Sequence, residues 1–331
     1  MRLKTPRFWY SRSISACLMA VLLWPFSILY RAVPYLRQKN AVPFHAGIPV
    51  ICVGNLTAGG NGKTPAAIAL MKLVNENGIA KNPCFLSRGY GGTATGPIFA
   101  HPVKHTYKDV GDEPLLLARH APVIVSRDRK AGALFAQEHG HDLVIMDDGL
   151  QNPRLAKTLS FVVLDSHSGF GNGHILPAGP LREPLAAGFE KSDAFIIIGS
   201  DARDIAAQLP VGKPVFHARL APGTLQDESA SFVAFCGLGQ PDKFRRTLRE
   251  KKLTVTGWHE FPDHYPFTPD DLGRLDREAL RKEARLLTTE KDAARIPPDY
   301  QFQSPLDILP VTIAWQDETT LLTFLKSKAK P

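Results

Sequence analysis

The chain has 331 residues and a formal net charge of +8, with 44% hydrophobic and 22% charged residues. That length allows two domains with buried cores, and the composition excludes wholesale disorder. The basic balance points to an anionic partner. The chain lacks an aromatic ribonucleoprotein motif, zinc-finger spacing and a basic zipper, so the partner is read as a phosphorylated small molecule or an acidic membrane, not nucleic acid. Cys17, Cys52, Cys84 and Cys236 form no C-x-x-C pair, which fits a reducing, cytosolic setting.

The first element is "SISACLMAVLLWPFSILY" (13–30), without a charge. Arg2, Lys4, Arg7 and Arg12 precede it; Arg31, Arg37 and Lys39 follow. A full span needs ~20 apolar residues, Pro25 is expected to kink the run, and "YRAVPYLRQK" after it offers a poor small-residue cleavage site. With Trp9, Tyr10, Trp24 and Tyr30 near its ends, residues 1–40 read as a membrane-associating helix lying on or dipping into a bilayer. A true span and a buried core helix are the alternatives.

Short β-branched runs then alternate with helical stretches. Strands are expected at 49–53, 84–87, 122–126, 142–147, 160–165 and 194–199, with helices at 65–75, 113–120 and 129–139. Continuous apolar strands separated by helices predict an α/β fold, a parallel sheet covered on both faces. Prolines and polar residues at 210–231 suggest a boundary, giving a phosphate-loop domain at 41–222 and a smaller α/β domain at 223–331. In the latter, "ILPVTIAW" (308–315) reads as a strand before a last helix.

"VICVGNLTAGGNGKTPAAIAL" (50–70) has the context of a phosphate loop: a buried strand, a glycine-rich turn, then a helix starting at Lys63–Thr64. Backbone amides at such a helix start point at an anion, and the helix dipole favours negative charge. Thr57, Ala58, Gly59, Gly60, Asn61, Gly62, Lys63 and Thr64 are the nucleotide-binding candidates, although Thr57 stands where the Walker A pattern has glycine. Lys63 would reach the terminal phosphates and Thr64 would offer a hydroxyl to Mg²⁺. "DLVIMDDGLQ" (142–151) ends a strand on Asp147 and Asp148, candidates for the same metal; alternation along the strand would let only one face it.

Other stretches are less specific. Asp112 and Glu113 in "VGDEPLLLARH" (110–120) would complement a helix dipole. Asp263 and His264 lie in a proline-bounded loop, "FPDHYPF" (261–267), and with His259 match no standard metal-ligand spacing. "FGNGHILPAGPLREP" (170–184) and "SRGYGG" (87–92) offer Arg182 and Arg88 as phosphate ligands. "TTEKDA" (288–293) lacks the asparagine of a guanine-reading motif and reads as a strand-to-helix turn.

In this order "VGNLTAGGNGKTP", "SRGYGG", "GDEP", "DDGLQ", "FGNGHILPAGPLRE", "FPDH" and "TEKDA" span residues 53–293, and with them the chain resembles the tetraacyldisaccharide 4′-kinases, the lipid A 4′-kinases of Gram-negative bacteria. The resemblance implies ATP- and Mg²⁺-dependent phosphorylation of the 4′-hydroxyl of a membrane-embedded tetraacylated glucosamine disaccharide 1-phosphate, giving lipid IVA. It implies two α/β domains with the site between them, at the anionic cytoplasmic face of the inner membrane, without an obligate protein partner. The family's catalytic Asp–His pair falls on Asp112 and His264. Asp112 would take the hydroxyl proton and His264 would orient it, with Lys63 on the phosphates and Arg88 and Arg182 on substrate or nucleotide. Where some members have a second histidine, this chain has Tyr265. From the residues alone, a membrane-associated glycosyltransferase and a phosphate-loop GTPase or metallochaperone remain alternatives.

Overall fold

The computed structural model describes residues 5–39, 41–201 and 203–329; Arg2 and Lys4 of the expected basic flank lie outside them. After a 3-10 turn at Arg7–Tyr10, helix α1 (Ile14–Lys39) runs on through Pro25, which neither ends nor divides it. Its stretch Ile14–Ala32 has a mean hydropathy of 1.6 but is only 17% buried. One narrow face, Ala16, Ala20 and Ser27, packs on the protein, while Ile14, Leu18, Val21, Leu22, Phe26 and Leu29 are exposed. A buried core helix is thereby ruled out. By length and composition this helix is able to cross a membrane.

The chain continues through β1 (Val50–Gly54), α2 (Lys63–Glu76), β2 (Pro83–Ser87), β3 (Ile98–Phe99), α3 (Tyr107–Val110), α4 (Asp112–Leu117), β4 (Val123–Val125), α5 (Arg129–Glu138), β5 (Leu143–Asp147), β6 (Leu159–Asp165), α6 (Leu185–Glu190), β7 (Ala194–Ile198) and β8 (Val215–Pro222). A second lobe follows: β9 (Ser231–Cys236), α7 (Pro241–Glu250), β10 (Thr254–Glu260), α8 (Pro269–Arg281), β11 (Arg285–Thr289), α9 (Glu290–Ala293) and β12 (Leu306–Leu309). The last elements are β13 (Val311–Trp315) and α10 (Glu318–Lys328).

Among the described residues the strands form two sheets. The larger has the order β13-β8-β7-β6-β1-β5-β2-β4-β3, parallel except at its two edges. The smaller, β10-β9-β11-β12, is parallel throughout. Strand alternation divides the large core. Ile51 and Val53 of β1 and Ile145 of β5 face α2, α4 and α10, whereas Val50, Cys52 and Met146 face α5 and α6. The small sheet is covered likewise, by Leu272 and Leu275 of α8 on one face and Phe244 and Leu248 of α7 on the other.

One expectation needs correcting. The second domain is not the contiguous segment 223–331, because β13 pairs antiparallel with β8 and Leu321 and Leu325 of α10 enter the large core. The single strand expected at 308–315 is two strands in different sheets, divided at Pro310, which has no amide hydrogen to continue a ladder. The chain therefore crosses between the lobes at 223–230 and again at Pro310.

Candidate active site

Strand β1 lies between β5 and β6. The chain leaves β1 toward β2 on one side, yet reaches β6 on the other, so the carboxyl end of β1 is the crevice where open α/β sheets bind ligands. There the glycine-rich loop turns into α2. Gly62 caps the helix at φ +85°, a left-handed backbone that favours glycine, and a Cβ on it would come 2.7 Å from Ile198 Cδ1 and have to displace that methyl. A cleft of about 1770 Å³ opens above, lined by Gly59, Gly60, Asn61, Gly62, Lys63 and Thr64 from this loop and by Asp263, His264 and Lys291 from the second lobe.

Thr57 and Ala58 do not line it, contrary to their expected place among the nucleotide ligands. Thr57 is buried, its Oγ1 accepts a hydrogen bond from Asn61 Nδ2, and its backbone bridges to Leu181. The Ala58 amide is spent on Pro180 O at 2.7 Å. Where a Walker loop has glycine, this chain has a hydroxyl that staples the two ends of the loop together.

The two acids at the end of β5 separate. Asp147 keeps strand geometry and is 2% exposed; its Oδ2 accepts from Thr64 Oγ1 at 3.1 Å, and its Oδ1 is buried with no partner. Asp148 turns away at φ +53°, and its Oδ1 takes Arg182 Nη1 at 2.7 Å and Lys63 Nζ at 3.8 Å. Burial first, then the charges of Glu113 and Asp148 pushing against Lys63, raise Asp147 to about 7. Burial also opposes the charge on Asp148, but Lys63 and Arg182 overcome it and hold that carboxyl low. Among the described residues no three His, Cys, Asp or Glu side chains form a metal cage. The orphaned Asp147 Oδ1 beside a threonine hydroxyl instead suits a hard, largely hydrated divalent cation.

The lobes meet at an Asp–His pair. His264 Nδ1 lies 2.8 Å from Asp112 Oδ2 and 3.1 Å from Oδ1; Asp112, at the start of α4, is 3% exposed. Behind it, Arg295 Nε stands 3.4 Å from Oδ2. Burial alone would push Asp112 up, but the His264 hydrogen bond and the charges of Lys291, His264 and Arg295 prevail and keep it far below the usual carboxylate range. On the other side of the ring, Lys291 Nζ is 3.3 Å from His264 Nε2 and is itself held by Glu113 Oε1 at 3.4 Å. A carboxylate only accepts and an ammonium only donates. Together they favour the tautomer with its proton on Nδ1 and its lone pair on Nε2, against the Asp263 carboxylate, whose Oδ1 lies farther off at 3.8 Å from Nε2.

Arg88 and Arg182 both line the cleft, Arg182 already committed to Asp148. Tyr265 does not line it; its ring packs on Phe261 and Phe267 and its hydroxyl donates to Asp271 Oδ2 at 3.1 Å. His259 is taken by Glu278 at 2.8 Å, away from any metal role. Sequence reasoning missed Lys291 and Arg295, and took Glu113 for a dipole-complementing acid. The signal for Lys291 was its place just past the carboxyl end of a buried strand, in a segment shared with the resembled family.

A family model described as tetraacyldisaccharide-1-P 4′-kinase matches residues 19–330. The chain belongs to the tetraacyldisaccharide 4′-kinase family. Relatives of that name include one from Rhodospirillum rubrum, 44% identical over 321 residues, with 95% of each chain covered. Another, from Rhodopseudomonas palustris, is 43% identical over 330 residues, covering 98% of this chain and 96% of its own. The crystal structure of an LpxK from Aquifex aeolicus in complex with ATP superposes with a TM-score of 0.75 at 28% identity, covering 94% of this chain and all of that one. Membership in a 4′-kinase family makes the chain a phosphotransferase and removes the glycosyltransferase and GTPase readings.

Proposed function

We propose that the protein transfers the γ-phosphoryl group of ATP to the 4′-hydroxyl of a tetraacylated glucosamine disaccharide 1-phosphate, giving the bis-phosphorylated lipid A precursor, with His264 as general base. The observation that carries this reading is the Asp112–His264 pair, brought from two lobes to face a phosphate loop in one cleft. Family membership supports the substrate; the loop, and the ATP complex of the Aquifex aeolicus relative, support the nucleotide.

The expected roles of the pair are exchanged. Asp112 is buried, does not line the cleft and already accepts from His264 and the Glu113 amide. His264 lines the cleft, with its lone pair directed by the tautomer described above. His264 Nε2 takes the hydroxyl proton as the sugar oxygen attacks, and Asp112 stabilises the imidazolium that forms. Lys291 donates to Nε2 until the acceptor hydroxyl replaces it. Amides of Gly60 through Thr64 and the Lys63 ammonium cradle the phosphates. Thr64 and Asp147 would hold Mg²⁺, which when bound supplies charge neutralisation between the phosphates. Arg88 and Arg182 serve substrate or nucleotide phosphates.

The exposed apolar side of α1 would place this cleft at the anionic cytoplasmic face of the inner membrane, beside the acyl chains of its substrate. Incubation with ATP, Mg²⁺ and the lipid disaccharide in detergent, with UDP-sugar as control, tests the activity. A product with one more phosphate, at the 4′ position, is expected; glycosyl transfer or ATP hydrolysis without lipid phosphorylation would overturn the reading.

A further inference from the structure

Lys243 is a cation used by neither the loop motif nor the Asp–His pair. It sits in the first turn of α7, in the second lobe, yet both its partners belong to the first. Its Nζ donates to Gly60 O at 2.6 Å and pairs with Asp165 Oδ2, at the end of β6, at 2.8 Å. The lysine is largely buried, with 17% of its side chain exposed, and lines the same cleft as Gly60, Asn61 and Lys63. Burying a long cation beside Lys63 is costly in rotamer entropy and repulsion, so the contact needs a reason.

Peptide geometry supplies one. The Gly60–Asn61 unit is planar and trans, so fixing Gly60 O toward α7 turns the Asn61 N–H to the opposite side. The glycine side of that peptide is open, since a Cβ on Gly60 would meet no atom within 4 Å. The other end is fixed, with Asn61 Nδ2 on Thr57. The turn before α7 is seated on the same spot, a Cβ on Gly239 coming 3.7 Å from Gly60 N.

We propose that Lys243 is a positioning residue for the phosphate loop: it sets the direction of the Gly60–Asn61 peptide, so the loop presents its amides to phosphate only when the second lobe is seated. The inference rests on the reading of the loop as the ATP site and adds to it a coupling between lobe closure and nucleotide binding. A lysine crossing between lobes to hold a backbone carbonyl orients the loop from outside; Lys63 acts on the phosphates from within.

The test measures ATP affinity of the full-length protein by calorimetry without lipid, with thermal melts, for Lys243→Met and Lys243→Gln. Losing a charge-assisted bond to the carbonyl should weaken ATP binding about tenfold or more in Lys243→Met. Lys243→Gln keeps a donor without the charge and should retain most of the affinity. In turnover, Lys243→Met should raise the KM for ATP more than it lowers kcat. Wild-type affinity in Lys243→Met, or equal losses in Met and Gln, would overturn the proposal, the latter by leaving only a charge effect. If Lys243→Met fails to fold, the decision falls to Lys243→Gln: a melt near wild type with a tenfold loss of affinity contradicts the peptide argument, and retained affinity supports it. Failure of the ATP reading itself looks different, because wild-type protein would then not bind ATP and Lys63→Ala would change nothing.

Discussion

The two carboxylates that end β5 have opposite electrostatics and so make opposite predictions. Asp147 is raised to about 7 chiefly by burial, so the folded protein binds a proton that the unfolded chain releases near ~3.9. Without a cation, stability therefore falls as pH rises from ~4 through about 7. Asp147→Asn should stabilise the ligand-free protein at pH 8 by on the order of 1 kcal/mol or more, seen as a higher melting temperature, while abolishing Mg²⁺-dependent turnover. A lower melting temperature would contradict the uncompensated charge. Cation affinity should weaken below about pH 7, as protons compete for the orphaned oxygen. Asp112 behaves in the reverse sense. Held low by His264, Lys291 and Arg295, it contributes stability above the ordinary aspartate range that is lost only in strong acid. Thr57 was the letter that failed the Walker pattern. Thr57→Gly should cost about 1 kcal/mol by orphaning the Asn61 amide, measured by denaturant unfolding; an unchanged midpoint would mean the staple contributes nothing.

Helix α1 is amphipathic in an inverted sense: small residues face the protein and large apolar ones face outward. Its inner face is tied to the loop at 170–184 through Ser27 Oγ to Ile175 O at 2.8 Å, and the preceding 3-10 turn through Trp9 Nε1 to Pro177 O at 3.1 Å. The same loop supports the phosphate loop through Pro180 O and carries Arg182 to Asp148. A helix suited to a bilayer is thus one loop away from the reaction. Replacing Leu18, Leu22 and Leu29 with serine should leave the melting temperature nearly unchanged but reduce co-sedimentation with anionic vesicles several-fold. Undiminished binding would remove α1 from membrane attachment.

The same elements show how far the sequence could be read. The six first-lobe strands expected from apolar runs all formed, because buried parallel strands must be apolar on both faces. The glycine loop with its helix start was as plain, since its chemistry is local. The split at Pro310 was not, because no local pattern says to which sheet a strand will pair. Lys291 and Arg295 were hidden for a related reason: the part each plays at the site comes from a carboxylate on the other lobe, Glu113 and Asp112.

Across the molecule, the two lobes are joined by ionic and polar contacts at the site itself. Asp112 meets His264 and Arg295, Glu113 meets Lys291, and Lys243 reaches Gly60 and Asp165. Arg295, 1% exposed, also bonds Gly237 O, Tyr265 O and Asp292, so it ties the second lobe internally as well as to Asp112. Removing one partner from a buried ionic network leaves the others uncompensated. Arg295→Met should therefore cost about 3–5 kcal/mol, visible as earlier unfolding of the second lobe in hydrogen exchange. Uniform exchange across both lobes would contradict this division.

The central claim is that His264 removes the 4′-hydroxyl proton and Asp112 acts only through it. The most direct measurement is kcat at saturating ATP and lipid disaccharide for Asp112→Ala, His264→Ala and the double variant. Loss of a positioned base predicts a fall of about 10²–10⁴ in His264→Ala, a fall no greater in Asp112→Ala, and a double variant no slower than His264→Ala, because the pair acts as one unit. ATP affinity should be preserved in all three. Near-wild-type kcat in His264→Ala, or losses that multiply in the double variant, would contradict the account.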